Sequence, residues 1–198
     1  MIYLASQSPQ RAGLLQQAGL RHVVVPSTGD EEQVQLPHPQ ALALERARIK
    51  AEGAQVPAGK AGVILAADTV VAVGKQLYGK PKDDADAARI LMALSGTTHH
   101  VITGHCCILV HADGSRGHAA CAVALAAVTM RTLTPSDIQA YLATGEHRGR
   151  AGAYAMQETG DRFVVDVQGA TGTVIGLTLE TVQRLYREVA GSVPERLP

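Results

Sequence analysis

The sequence has no tryptophan, one phenylalanine and five tyrosines, so aromatic residues supply only 3% of its 198 positions. A chain so poor in rings offers no platforms for stacking bases, which argues against a single-stranded nucleic-acid binder. Net charge is equally scarce: 18 basic residues cancel 18 acidic ones, and charged residues total 18%. Without a basic face there is no counterion release to drive binding to a nucleic-acid polymer. With 46% hydrophobic residues and no charge excess, the composition also excludes a disordered chain. Cysteines number three. Cys106 and Cys107 are neighbours in an apparent strand and face opposite sides, so they read as reduced structural thiols rather than a disulfide or a metal clamp. Long apolar runs are missing too. The longest, Cys121 to Met130, is half of the roughly 20 residues a membrane span needs. The opening MIYLASQS carries no basic stretch ahead of an apolar core, so it is not a signal peptide, and a cytoplasmic location is expected. What is abundant is alanine, at 31 positions, which implies an aliphatic core of closely spaced elements.

Local signals alternate between strands and helices. Ile2 to Ala5 reads as a strand running into SQSPQR, where Ser8 sits at an N-cap position, Pro9 opens a helix and Gly19 closes it. Val23 to Val25 is a strand, Asp30-Glu31-Glu32 an acidic turn, and Pro39 to about Ala51 a helix. Val63 to Ala67 is an apolar strand ending on Asp68; Thr69 to Val73 continues extended, and Gly74-Lys75 turns it back through Gln76-Leu77-Tyr78. From Asp83 to Leu94, apolar residues at Ala87, Ile90, Leu91 and Leu94 follow helical spacing. Val101 to Val110 and His118 to Met130 read as long strands, with His105, His111 and His118 expected at the surface around their hairpin. Thr134-Pro135-Ser136-Asp137 is a capping box, Phe163 to Val167 a strand, and the stripe Leu179, Val182, Leu185, Tyr186, Val189 a final helix. No linker or repeat interrupts the series, so one domain over 1–198 is expected, α/β in class with a mixed sheet because hairpins and crossovers both occur.

Phosphate chemistry has plausible carriers. SQSPQR, Ser6 to Arg11, lies at a strand-to-helix junction, where backbone amides and the helix dipole attract anions; an ordinary N-cap explains the same residues. Asp68, ending an apolar strand, would lie at the sheet rim where α/β folds place ligands, or would cap a turn. Neither a Walker motif nor a dinucleotide fingerprint is present. As a set, Arg11, Lys50 and Lys80 could balance a Mg²⁺-bound nucleoside triphosphate of charge about −4, with Glu32 and Asp68 as the carboxylates such a cation takes.

These residues fall in segments that resemble the Maf family of nucleotide pyrophosphatases. LASQSPQRAGLL (Leu4 to Leu15), the acidic turn ending at Glu32, RARIKA (Arg46 to Ala51), AADTVV (Ala66 to Val71), GKP (Gly79 to Pro81), LSGTTHHVITG (Leu94 to Gly104) and AGAYAMQ (Ala151 to Gln157) occur in the family's order. The resemblance implies a fold like that of the inosine triphosphate pyrophosphatases, an elongated mixed central sheet flanked by helices with a cleft between two lobes. It implies hydrolysis of a nucleoside triphosphate to monophosphate and pyrophosphate, in the branch acting on dTTP and UTP. Asp68 would be the proton acceptor and, with Glu32, a ligand of a divalent cation, Mg²⁺ or Mn²⁺. Arg11, Lys50 and Lys80 would hold the phosphates, Ser6, Ser8 and Gln10 would bind the substrate with them, and Thr69 and Gln157 would help define the base. A homodimer is also implied. The family's association with septum formation leaves a nucleotide-binding regulator as the alternative. The sequence departs from the family pattern at Gln10, Arg150 and Glu158, and in GATGTVIGLT at Ala170, Thr171 and Thr178.

Overall fold

A computed structural model describes residues 1–156 and 159–197. Strands β1 (Ile2–Leu4), β2 (His22–Val24), β3 (Gly62–Val73), β4 (Gln76–Tyr78), β5 (Thr98–Val110), β6 (Arg116–Met130) and β7 (Val164–Gln168) alternate with helices. The helices are α1 (Pro9–Gln17), α2 (Pro39–Glu52), α3 (Asp84–Leu94), α4 (Pro135–Leu142), α5 (Thr171–Ile175) and α6 (Leu179–Ala190). The strands form one seven-stranded sheet in the order β2-β1-β3-β5-β6-β7, with β4 paired to β3. It is mixed: β1 runs parallel to β2 and β3, while β3–β4 and β6–β7 are antiparallel.

The chain divides into two compact units: Met1–Asp68, Thr103–Ala124 and Gly176–Pro198 in the first, Thr69–Ile102 and Leu125–Ile175 in the second. In the first unit β1 and the first half of β3 are covered on both faces, so they are apolar throughout and the period of two sorts their side chains between two cores. Ile2, Leu4, Val63 and Leu65 join Leu15, Val182 and Leu185 of α1 and α6. Tyr3, Ala5, Ile64 and Ala66 join Ala47 and Ala51 of α2. Cys107 falls in the first core and Cys106 in the second, as their adjacency requires, and the described cysteines are free. In the second unit α3 buries Ala87, Ile90, Leu91 and Leu94 against Val101, Val128 and Phe163, whose ring meets Tyr141 edge-on at 5.0 Å. Thr134 and Asp137 form the expected reciprocal box at the start of α4.

Three expectations need correction. Asp68 does not end a strand: β3 continues through it to Val73, where Val71, Ala72 and Val73 pair with β4 and the β-branched Thr69, Val70 and Val71 favour extended backbone. His105 is not at the surface but fully buried, since β5 is covered on both faces there. Phe163 belongs to a short 3₁₀ turn, Thr159–Phe163, rather than to β7, which starts at Val164. Among the described residues, no helix is long and apolar enough to cross a membrane.

Candidate active site

The N-terminal junction forms as the Ser-Pro pair dictates. Pro9 occupies the first turn of α1 with Ser8 in extended backbone before it. Yet the Ser8 hydroxyl does not cap the helix; it donates to Gln10 Oε1 at 2.9 Å. The positive end of α1 thus carries no side-chain cap from Ser8, an arrangement suited to an anion. Ser6 Oγ accepts from the Ser8 amide at 3.2 Å and from Arg11 Nη1 at 3.1 Å. Arg11 Nε donates to the Gly176 carbonyl at 2.9 Å, which orients the guanidinium from two sides. Burial pushes the Arg11 pKa down, while the charges of Asp68 and Glu31 hold it up.

Lys50 projects from the last turn of α2, and that turn is pinned. Arg116, at the start of β6, donates through its guanidinium to the carbonyls of Ala51, Glu52 and Ala54, and Ser27 Oγ donates to the Lys50 carbonyl at 2.9 Å. Lys50 Nζ then lies 2.6 Å from Asp68 Oδ1 and 3.0 Å from Glu31 Oε1, with side chains 13%, 12% and 23% exposed. The second Asp68 oxygen, Oδ2, is buried without a hydrogen-bond partner. A buried carboxylate oxygen left in that state is an acceptor awaiting a donor or a cation.

Of the acidic pair, the structure brings Glu31 to Lys50, and Glu32 is exposed. The pair opens a 3₁₀ turn, Glu31–Gln33, in which successive side chains diverge by about a third of a revolution, so only one can face Lys50. Just before the pair the loop lies close against α2: a Cβ on Gly29 would stand 2.3 Å from the Ile49 carbonyl oxygen, and one on Gly53 would stand 2.2 Å from the Gly29 amide nitrogen. Only glycine lets the loop lie this close to α2. Gly29→Ala should therefore destabilise the protein by about 2 kcal/mol and lower Tm by roughly 5 °C. Gly13→Ala, inside α1 with nothing within 4 Å of the new methyl, should raise it slightly. Differential scanning calorimetry on the pair checks both signs.

Arg11, Glu31, Lys50 and Asp68 are thus gathered in the first unit. Thr69 follows Asp68 on β3 in the second unit and is half-buried, and Lys80 is exposed there beside Gly79, whose carbonyl accepts the Gly152 amide at 3.1 Å. Gln157 and Glu158 lie outside the described residues. Upstream of them, buried Tyr154 meets His99 Nε2 through its hydroxyl at 2.9 Å. Ser27, Gly29 and Gly176 escaped the sequence reading, which weighed Glu31 and Glu32 as a pair and favoured Glu32.

A family model described as Maf-like protein matches residues 1–189. The chain belongs to the Maf family. A dTTP/UTP pyrophosphatase of Anaeromyxobacter sp. (strain Fw109-5) is 41% identical over 199 residues, covering 100% of this chain and 93% of that protein. A dTTP/UTP pyrophosphatase of Thermococcus kodakarensis is 37% identical over 185 residues, covering 93% and 95%. A crystal structure of a nucleoside-triphosphatase / dITP/XTP pyrophosphatase from Mycobacterium abscessus aligns with 96% of this chain and 92% of its own at a TM-score of 0.39 and 18% identity.

Among the described residues no group of three or more His, Cys, Asp or Glu is placed to hold a metal. Glu31 and Asp68 do offer a pair of carboxylates, hard oxygen donors of the kind a divalent cation takes. With two cations and two carboxylates the cluster sums to zero charge, so alone it cannot neutralise a triphosphate of about −4. The residues fit a Mg²⁺-type ion that keeps several waters and arrives with the phosphates.

Proposed function

We propose that the chain hydrolyses a pyrimidine nucleoside triphosphate, dTTP or UTP, to the monophosphate and pyrophosphate. The observation that carries this reading is Lys50 held between Glu31 and Asp68, with the buried Asp68 Oδ2 left without a partner. The activity named for the relatives supports it, and their names supply the choice of base. Asp68 Oδ2 accepts a proton from water as the water oxygen bonds to the α-phosphorus. The bridging oxygen to the β-phosphorus takes the bonding electrons, and pyrophosphate leaves against Arg11 and Lys50. Ser6 fixes the guanidinium, and the N-terminus of α1 faces negative charge. The family motif adds Lys80 as a phosphate contact and Thr69 and Gln157 as base contacts. Glu31 and Asp68 would hold a divalent cation, Mg²⁺ or Mn²⁺, which when bound offsets phosphate charge and lowers the pKa of its water. Most of the acceleration then comes from positioning and charge.

A panel of nucleoside triphosphates, incubated with Mg²⁺ or Mn²⁺ and resolved by phosphorus NMR, tests the reading. Pyrophosphate and monophosphate should appear, fastest with dTTP or UTP. Release of orthophosphate, or saturable binding with no product, would overturn it.

A further inference from the structure

The strand β5 carries a histidine that the mechanism above does not use. His105 is fully buried, and its Nε2 accepts the backbone amide of Thr178 at 3.0 Å. An acceptor Nε2 means a neutral ring with its proton on Nδ1. Burial and the nearby Arg11 charge, with a smaller contribution from Arg184, push its pKa down to about 4, and its Nδ1 is buried without a hydrogen-bond partner. Thr178 lies two residues beyond Gly176, the residue whose carbonyl takes Arg11 Nε at 2.9 Å. Thr178 is the N-cap of α6, and its amide contact with His105 ties this entry segment to the sheet alongside the packing of buried Leu177 into the first core. A continuous chain results: His105 Nε2, the Thr178 amide, the Gly176 carbonyl, Arg11 Nε.

We propose that His105 is a positioning residue for Arg11: it clamps the 176–178 segment so that the Gly176 carbonyl holds the guanidinium facing the polyphosphate. Arginine is suited to this, since Nε can be anchored while the terminal nitrogens stay directed elsewhere. The inference rests on the pyrophosphatase reading only for what Arg11 binds, not for how Arg11 is held.

The experiment therefore reads the clamp without turnover and then with it. Nitrogen-15 NMR of the wild-type protein at neutral pH should show His105 with Nδ1 protonated and Nε2 bare, and Arg11 Nε–H exchanging slowly. In His105→Leu, which leaves the Thr178 amide without its acceptor, that exchange should accelerate by about tenfold. KM for the triphosphate should rise about tenfold, and kcat should fall as well, because Arg11 also faces the leaving pyrophosphate. His105→Gln, which keeps an acceptor, should recover all three values. In an Arg11→Lys background, lacking Nε–H, His105→Leu should add nothing further to KM. A proton on Nε2 in the wild-type protein would overturn the proposal whether or not the Leu variant folds. So would unchanged Arg11 exchange in a folded His105→Leu protein. If no triphosphate is hydrolysed while the exchange behaves as expected, the proposed activity fails and the clamp stands.

Discussion

Asp68→Asn should lower kcat by at least about a hundredfold while leaving KM for the triphosphate within a few-fold. The substitution is close to isosteric, and the Asn carbonyl oxygen can still accept from Lys50 Nζ, now 2.6 Å from Oδ1. Lys50 also keeps Glu31 at 3.0 Å, so no buried cation is stranded and the fold should survive. What disappears is the acceptor at Oδ2, replaced by an amide NH₂ that cannot take a proton from water. The loss should therefore fall on the chemical step and not on binding. Glu31→Gln should also slow turnover strongly, whereas Glu32→Gln, at an exposed site, should change kcat less than twofold. Steady-state kinetics on the three variants, with nucleotide binding measured by calorimetry, separates these outcomes. An Asp68→Asn enzyme with ordinary turnover would remove Asp68 from the reaction, and a Glu32 effect exceeding that of Glu31 would reverse the assignment within the acidic pair.

Acid should destabilise the fold well before its carboxylates are protonated. His99 and His105 are fully buried, and each has its pKa pushed from 6.5 to about 4. Burial is the main cause at both sites, with His100 adding to it at His99 and Arg11 at His105. Above pH 6.5 both rings are neutral, folded or unfolded, and nothing is lost. As pH falls below 6.5 the unfolded chain takes up protons that the folded one refuses. Stability then drops by about 1.4 kcal/mol per pH unit per site, reaching roughly 3 kcal/mol each near pH 4. Asp137, whose pKa is lowered by Arg131 and Thr134, loses its contribution only below the ordinary carboxylate range, so the two effects occupy different windows. Urea titrations from pH 7.5 to 4.5 should show the decline, and replacing both histidines with glutamine should flatten it. A flat profile in the wild-type protein over that interval would mean that the two imidazoles titrate normally.

How far each feature could be read in the sequence follows from the distance over which its cause acts. The start of α4 was legible because its capping box is complete within four residues, and the buried stripe of α3 because helical spacing is local. The β3–β4 hairpin was marked by Gly74-Lys75. Asp68 was recognisable as an odd carboxylate in an apolar run, yet its place inside β3 rather than at an end depends on strand pairing. Arg11 and Lys50 stood out by motif, but their partners did not: Gly176 is 165 residues from Arg11, and Asp68 is 18 from Lys50. Glu31 and Glu32 are chemically alike and adjacent, so composition could not rank them. His105 looked like a hairpin histidine because nothing local reveals that a strand is covered on both faces.

Taken alone, the sequence determined the fold class, the starts of α1 to α4, the family, and the residue types able to handle phosphate, since these depend on near-neighbour chemistry and on motif order. Tertiary structure alone decided that Glu31 faces Lys50, that one Asp68 oxygen is left unpartnered, and that His105 lies beneath the segment holding Arg11. Each is a matter of which side chains remote in the chain share a small volume out of water. Exclusion of water from that volume is what turns ordinary charged and polar groups into a site with a defined geometry.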